Sequence, residues 1–178
     1  MRNFTSLLRS STAILLTVLL ITVGCNRGPQ MTPASPASDD WHPFQGTWIA
    51  SGTRQTIRLV NDRRASIAHL SGSLVLSGQS RPGVGFLADA IVLNDTATGT
   101  IGRAVWTDDH GDQIYSELNG NDTATGSKIA GTFIGGTGRY TGVIGNYKFT
   151  WRFVMDADDG QVQGQSEGLT GRCSSPKL

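Results

Sequence analysis

The chemistry open to this sequence depends first on its only two glutamates, Glu117 and Glu167. Glu117 shares one face of a strand-like run with Tyr115. If that face points into the interior, burial raises the pKa of the carboxyl and suits it to proton transfer or to pairing with an arginine such as Arg58. The orientation of Asp89 and Glu167 is equally open. A solvent-facing carboxylate or a structural ion pair is the ordinary alternative, so Glu117 is a candidate catalytic residue only if its strand faces inward.

Three aspartates and a histidine lie close together in residues 108–112. Their spacing does not match a calcium loop, which needs alternating Asp or Asn, a glycine and a downstream glutamate. The three histidines, His42, His69 and His110, lie far apart and lack the paired spacing of zinc ligands. Because Asp and Gly are common turn residues, we expect a turn here and no metal site.

No nucleophile or cofactor motif occurs in its functional context. The one G-x-S-x-G sequence, at residues 164–168, lies inside a predicted strand and not at a strand-to-helix turn, and there is no Walker phosphate loop. The glycine-rich segment 135–142 lacks the Gly-Lys-Ser/Thr ending of such a loop, and no helix is predicted after it. Its glycines are expected to permit a bulge or a sharp bend at a barrel corner, and no cofactor is expected.

The clearest apolar pattern lies in residues 146–155, where large apolar side chains alternate with polar ones. Such alternation predicts a strand with one face in an apolar interior. These aromatic residues either fill a core or line a site for a small apolar ligand. The candidates for lining a barrel lumen are Tyr147, Phe149, Trp151 and Phe153, together with Tyr115.

The fold class is predicted to be all-β, with a single eight-stranded antiparallel up-and-down barrel in residues 41–178. Glycine is abundant, with 23 residues, whereas the helix-favouring Glu and Lys are scarce. Regularly spaced strands separated by turn residues predict a sandwich or barrel, and closure of a barrel removes exposed edges. The predicted strands cover residues 45–59, 65–78, 83–93, 99–107, 112–120, 127–135, 142–155 and 161–173.

An internal repeat predicts the relative placement of the turns. The hexapeptide NDTATG occurs at residues 94–99 and again at 121–126. Two strands and one opposite turn fit in that interval, so both copies should lie at one end of the barrel and the turn at residues 108–111 at the other. Both chain termini should also meet at one end. We interpret the Asn-x-Thr patterns as Asx-type turns and not as glycosylation sites.

Residues 1–24 resemble a bacterial lipoprotein signal peptide. Arg2 and Arg9 precede an almost wholly apolar run at 12–23, which is too short to span a bilayer. A small residue then precedes Cys25, the predicted site of lipidation, although Thr22 stands where such signals usually carry leucine. An ordinary cleaved signal is the alternative. Acylation of Cys25 would exclude a disulfide with Cys173.

Residues 25–40 are predicted to be a disordered linker after the lipidated cysteine, because they are rich in Pro, Ser and Ala and lack apolar periodicity. The protein is predicted to lie in the bacterial cell envelope, anchored in the outer membrane in preference to the inner one, and to face the periplasm or the cell surface.

Removal of residues 1–24 leaves 15 − 2 = 13 basic against 14 acidic residues. With no basic patch, nucleic acid is not expected as a partner.

Two segments resemble the allene oxide cyclase-like and dirigent-like barrels. Residues 135–142, GGTGRYTG, are similar to a G-G-T-G-[KR]-[YF]-x-G segment of that group, and residues 106–117 look like a hairpin found in its bacterial members. The resemblance implies an eight-stranded barrel with a central cavity, often oligomeric in plants. In allene oxide cyclases a barrel-lining glutamate and an aromatic cavity steer an unstable epoxide. Only Glu117 matches such a set, so the activity is not carried over.

A weaker likeness connects the start of the domain to lipocalins. Gly46, Thr47 and Trp48 are similar to the lipocalin G-x-W motif, and Arg172 would be the partner of the Trp48 ring. Both likenesses imply eight strands.

Three hypotheses of function follow. The first is an anchored envelope barrel that binds a small apolar ligand in its lumen, the second a cyclase or isomerase that uses Glu117, and the third an interaction module that uses the loops at the Asn94 and Asn121 turns. The expected partners are therefore a small apolar ligand and, through the lipid, a membrane. Oligomerisation is left open.

Overall fold

The computed structural model describes residues 41–78 and 81–174, which form a closed eight-stranded antiparallel barrel. Each strand pairs with its neighbours in the sequence, and β1 closes the barrel on β8. A single-turn 3-10 helix, Gly138–Tyr140, lies between β6 and β7. The strands are β1 His42–Arg58, β2 Arg64–Gly78, β3 Arg81–Asp95, β4 Gly99–Thr107, β5 Gln113–Thr123, β6 Gly126–Gly136, β7 Ile144–Asp156 and β8 Gln161–Ser174.

The predicted fold class is therefore confirmed for the described residues, including the number and order of the strands. The predicted signal peptide, Cys25 and the linker lie outside the described residues. No helix in the described ranges is long and apolar enough to cross a bilayer.

The connections define two ends of the barrel. We call "upper" the end with the β1–β2, β3–β4, β5–β6 and β7–β8 turns, and "lower" the end with the β4–β5 turn and the 3-10 helix. Both copies of the NDTATG repeat lie at the upper end, as predicted, and the amide of Asn94 donates to both carboxylate oxygens of Asp122 at 3.0 Å. In the first copy Asp95 accepts the N–H of Ala97 at 2.9 Å, which is an Asx turn. The start of β1 meets the end of β8 at the lower end, where His42 pairs with Cys173.

The middle of the barrel is filled by side chains. Aromatic rings on β4, β6 and β7 pack together there, with Trp106 and Tyr147 only 4.7 Å apart between ring centroids and Phe133 5.3 Å from Tyr147. Alanines occupy much of the inner face of β1 to β4. Small residues opposite large ones allow the narrow interior of an eight-stranded barrel to fill without strain. We call this packed region the middle layer.

Tyr147 enters the middle layer across a glycine. Its cross-strand partner is Gly131 on β6, and a Cβ atom built at Gly131 would lie 2.1 Å from the ring carbon Cζ of Tyr147. The Tyr147 ring therefore occupies the space that any other side chain would take.

Candidate ligand-binding site

The middle layer divides the lumen into two cavities. The upper cavity has a volume of about 110 Å³ and is partly open at the upper end. The lower cavity has a volume of about 370 Å³ and lies toward the end where the start of β1 meets the end of β8. Between them only a void of about 10 Å³ remains. The larger, lower cavity is the candidate binding site.

Apolar and aromatic side chains from the lower halves of the strands dominate the wall of the lower cavity. Phe44 from β1 stacks on Phe133 from β6, with ring centroids 6.2 Å apart, and meets Trp106 edge-on at 6.5 Å. These rings occupy one side of the cavity, adjoining the middle layer. The apolar and aromatic lining residues are Trp41, Pro43, Phe44, Leu76, Val84, Phe86, Trp106, Ile114, Phe133, Tyr140 and Val143.

The polar side chains of the wall are His42, Ser77, Arg139, Tyr140 and Cys173, and Asp108 pairs with Arg139 without lining the cavity itself. Asp108, in the β4–β5 turn, has a fully buried side chain, and its Oδ1 accepts the backbone N–H groups of His110 at 2.8 Å and Asp112 at 3.0 Å. The guanidinium of Arg139, from the 3-10 helix, lies 2.7 Å from Asp108 Oδ2. Tyr140 lies next to Arg139 and packs on the Phe86 ring at 5.9 Å. We call these three side chains the Asp108 cluster: Asp108, Arg139 and Tyr140.

Hydrogen bonds and burial determine the protonation states in the cluster. Burial by itself raises the pKa of Asp108, but the two backbone N–H groups, the Tyr140 hydroxyl and the Arg139 guanidinium together bring that pKa below its usual value. Burial, and then the hydrogen bond to Asp108, raise the pKa of Tyr140. At neutral pH the cluster therefore holds an anionic Asp108 and a neutral Tyr140.

The glycine-rich segment 135–142 places the cluster. Tyr115 pairs with Gly135 and Ser116 with Phe133, so Ile134, immediately before this segment, is the extra residue of a β-bulge. The sequence predicted a bulge or a sharp bend within residues 135–142. Gly138 has a φ of 51°, and a Cβ there would lie 1.8 Å from Asp112 Oδ1. Asp112 in turn accepts the N–H of Arg139 at 3.1 Å. Glycine is thus required at 138 for both backbone conformation and close approach.

The positive charge of Arg139 is already compensated. Besides Asp108, its guanidinium lies 3.3 Å from Asp109 and 3.7 Å from Asp112. Asp108, Asp109 and His110 bring their potential ligand atoms within 4.8 Å of one another, but the Arg139 guanidinium lies among them, 2.6 Å from His110 Nδ1. The cation in this cluster is the arginine side chain. A ligand in the lower cavity does not meet an unneutralised positive charge.

Glu117 does not lie at this site. Its side chain is on the outer face of β5, 44% exposed, and its carboxylate pairs with Arg103 at 2.9 Å, not with Arg58. The inward residues of β5 are Ile114, Ser116 and Leu118, which are buried. Since strand residues alternate between faces, Glu117 and Tyr115 must point outward, and the expected lumenal place of Tyr115 is wrong. Tyr115 donates instead to Gln113 Oε1 at 2.8 Å.

The remaining lumen candidates face inward but not into the lower cavity. Tyr147 and Phe149 are buried in the middle layer, and Phe149 also reaches the upper cavity with Trp151 and Phe153. Phe153 is 37% exposed, because β7 runs out to the upper rim at that position. Both other acidic candidates of uncertain orientation lie on the outer surface: Glu167 pairs with Arg152 at 2.8 Å, and Asp89 stands on β3 between the buried Ala88 and Ala90.

The partner expected for Trp48 from the lipocalin likeness is wrong. Trp48 is buried inside the barrel against Trp151, with ring centroids 4.7 Å apart. Arg172 lies instead over the ring of Trp41, 4.9 Å from its centroid. A β-bulge between Gly46 and Ile49 shifts the pairing of β1 with β8, and Arg172 pairs with Pro43, five residues before Trp48.

The sequence does not indicate the Asp108 cluster as a unit. Its pattern around Asp108 indicates a turn, and Arg139 and Tyr140 belong to a segment that carries a family resemblance. The sequence gives one indication of the cluster: of the two segments that carry the resemblance, 106–117 contains Asp108 and 135–142 contains Arg139 and Tyr140.

Comparison with known proteins returned no match to any protein-family model, curated protein or solved structure.

Proposed function

We propose that the barrel binds a small, neutral, ring-bearing apolar molecule in its lower cavity. The observation that carries this proposal is the cavity of about 370 Å³ lined mainly by aromatic and aliphatic side chains. Ligand sites are typically concave, apolar and about 300–1,000 Å³ in volume, with a few polar groups that orient the ligand. A cavity of about 150 Å³ holds one benzene ring, so the lower cavity has room for roughly two rings.

The preference for rings follows from the wall. Phe44, Phe133 and Trp106 present both faces and edges of their rings near the cavity, and aromatic groups pack favourably in stacked or edge-on arrangements. The preference for a neutral ligand follows from the Asp108 cluster. Asp108, Asp109 and Asp112 all pair with the Arg139 guanidinium, so its positive charge is compensated and offers an anion in the cavity no net attraction.

The cyclase or isomerase hypothesis lacks the acid–base group on which it relied, because Glu117 lies outside the barrel. Tyr140 lines the lower cavity, but burial and the neighbouring Asp108 carboxylate raise the pKa of its hydroxyl, which therefore stays protonated near pH 7 and is no general base. We therefore propose binding as the function of this cavity, with the Asp108 cluster as its rigid polar wall.

We further propose kinship with the allene oxide cyclase-like and dirigent-like barrels. The support is the eight-stranded topology together with the role of segment 135–142, whose bulge and 3-10 turn place Arg139 and Tyr140 at the cavity. The proposed location is the bacterial envelope, with the chain anchored through a lipid on Cys25. The support there is the signal-like sequence of residues 1–24.

The binding proposal is tested with 1-naphthylamine, a neutral two-ring dye whose fluorescence moves to shorter wavelength in apolar surroundings. β3 offers a matched pair of variants, because Val84 lines the lower cavity and Val92 the upper one. We expect the full-length protein to bind the dye, Val84→Phe to weaken binding at least tenfold by filling the lower cavity, and Val92→Phe to leave it nearly unchanged. Absence of binding by the wild type, or equal effects of the two variants, would contradict the proposal and favour a function of the rim loops.

The anchor is tested by fractionating cells that express the full-length chain. Cys25→Ala should release the protein from the membrane fraction, whereas Cys173→Ala, the matched change at the chain's other cysteine, should not. Unchanged membrane association of Cys25→Ala would refute lipidation at this residue.

A further inference from the structure

The outer wall of the barrel is apolar on one side. On β2, β3 and β4, aliphatic side chains that point outward leave between 42% and 59% of their surface exposed. We call this surface the β3 face, and its aliphatic members are Ile67, Leu87, Ile91, Leu93 and Ile101.

The centre of the β3 face is a row of three neighbouring side chains. Ile67 on β2 pairs with Leu93 on β3, and Leu93 pairs with Ile101 on β4. Because directly opposite residues on one face of an antiparallel pair lie side by side, the three form one continuous apolar strip. The same row carries no large apolar side chain on β5 to β8, where its members are Asn119, Ala130, Lys148 and Thr170.

Charge contributes little to the middle of the β3 face. At its β4 margin the Arg103 guanidinium pairs with Glu117 on β5 at 2.9 Å, so that charge is compensated within one copy of the chain. His69 and the half-buried Asp89 are polar members of the face, and they lie beside the apolar row and not in it.

An exposed apolar surface of this kind indicates an interaction site. Single exposed aliphatic residues are common on soluble proteins, whereas contiguous ones mark surfaces that bind a partner. The described strands close on themselves, so they offer no edge to which another chain could add a strand. Association at the β3 face must therefore depend on side-chain packing.

We propose that two copies of the chain associate through their β3 faces as a symmetric dimer. An aliphatic surface favours an apolar surface opposite it, because a polar partner would lose hydrogen bonds to water without replacement. A second copy offers such a surface, and most homo-oligomers are dimers in which both copies use the same patch. A two-fold axis through Leu93, parallel to β3 or across it, places the apolar row of one copy on the same row of the other.

The size of the β3 face matches what a dimer needs. It comprises five outward positions on each of β2, β3 and β4, from the level of Ala65 to that of Ser73. Strand spacing and rise give each outward residue about 32 Å² of the sheet, so the face covers roughly 480 Å². Two copies then bury about 1,000 Å², which is the area at which specific interfaces begin.

The dimer does not depend on ligand binding in the lower cavity. Strand residues alternate between faces, so the β3 face and the cavity lining lie on opposite sides of the same wall. On β3, for example, Leu87 is exposed on the outside, whereas Phe86 lines the lower cavity. Each proposal can therefore fail without the other.

The test is photocrosslinking in cells that express two full-length chains with different C-terminal tags. The photoreactive residue p-benzoylphenylalanine replaces Leu93 in one of the chains and keeps the face apolar. We expect ultraviolet light to produce a band of twice the monomer mass that carries both tags. The matched control is p-benzoylphenylalanine in place of Lys148, which lies in the same row on β7 and should give no such band.

Variants test whether the apolar surface is responsible. Ile67 and Ile144 are both 55% exposed, but Ile67 lies in the β3 face and Ile144 at the start of β7. Ile67→Glu in both chains should reduce the double-tagged band at least about tenfold, because it places unpaired carboxylates against aliphatic side chains. Ile144→Glu should leave the band unchanged, and Ile101→Glu, on another strand of the face, should act like Ile67→Glu.

Circular dichroism of each purified variant verifies that the barrel is intact, and if one of the two β3-face variants does not fold, the other decides. Absence of a double-tagged band from Leu93, or an equal band from Lys148, would overturn the proposal. So would crosslinks from Leu93 only to lipid or to a different protein, or a band that persists in the folded β3-face variants.

Discussion

At the scale of single residues, Asp108 joins two separate connections at the lower end of the barrel, whereas the sequence around it indicates only a turn. Its buried carboxylate accepts hydrogen bonds from two N–H groups of its own turn and pairs with Arg139, which lies between β6 and β7. Charge-assisted hydrogen bonds of this kind are stronger than neutral ones, and breaking them leaves buried groups unsatisfied. The residue therefore stabilises the wall of the lower cavity as well as its own turn.

We expect Asp108→Asn to lower the free energy of unfolding at pH 7 by about 1–3 kcal/mol, since the amide retains the size but loses the negative charge. Because the folded-state pKa of Asp108 lies below its usual value, the carboxylate stabilises the native state above the unfolded-state pKa of about 4. That stabilisation is lost as the pH falls through the lower folded-state pKa.

The difference in free energy of unfolding between the wild type and Asp108→Asn should therefore be constant from pH 7 to about pH 5 and should shrink below about pH 4. Denaturant unfolding at a series of pH values measures it. Asp109→Asn is the matched control, because the Asp109 side chain is 79% exposed, and it should have little effect. A difference that stays constant down to pH 2 would contradict the assignment of an ionised, hydrogen-bonded Asp108.

At the scale of elements, the pairing of β6 with β7 depends on a glycine opposite an aromatic ring. Gly131 lies across from Tyr147, and the ring covers the glycine Cβ position. The same arrangement recurs at Gly164 on β8, whose Cβ position lies 2.5 Å from the Trp151 ring. Such pairs let a large side chain lie flat on a neighbouring strand, which a narrow barrel requires.

We expect Gly131→Ala to destabilise the barrel by about 1–3 kcal/mol, because the added methyl group overlaps the Tyr147 ring in a packed interior. Thermal unfolding followed by circular dichroism measures the loss. Gly85→Ala on β3 is the control, since no atom lies within 4 Å of that Cβ position. If both variants melt at the wild-type temperature, the middle layer is less tightly packed than the structure indicates.

At the scale of the whole molecule, closure makes the two ends of the described chain neighbours. His42 on β1 pairs with Cys173 on β8, so the barrel has no unpaired strand edge, and the order of strands around it follows the sequence. If the two ends are joined, the chain can be cut at any connection between strands without loss of a strand pairing.

We expect a circular permutant that joins residue 174 to residue 41 by a short Gly/Ser linker, and begins at Asp62, to unfold cooperatively near the wild-type temperature. The cut lies in the β1–β2 turn, where Asn61 and Asp62 both have a φ of 56° and belong to no strand. A permutant cut between Gly72 and Ser73, inside β2, should not fold, because it divides a central pairing. Folding of both or of neither, judged by calorimetry, would contradict closure in this register.

The sequence by itself determined the strands, their number and their order, because period-two alternation and turn residues are local signals. It also placed the two NDTATG copies at one end, since an interval of two strands and one turn leaves no other arrangement. It did not determine which face of β5 points inward, because that strand carries plausible interior residues on both faces. The sequence therefore does not decide whether Glu117 faces the lumen. β3 has the same ambiguity, with Leu87, Ile91 and Leu93 exposed on its outer face.

Only the tertiary structure decided where the cavities lie and which side chains bound them. The middle layer depends on rings from β4, β6 and β7 meeting across the lumen, and the Asp108 cluster joins residues about 30 positions apart. Such contacts depend on barrel closure and on the bulges that shift the pairing of β1 with β8 and of β5 with β6. Alternation is a property of each strand alone, whereas a cavity is what remains after all eight inner faces have packed against one another.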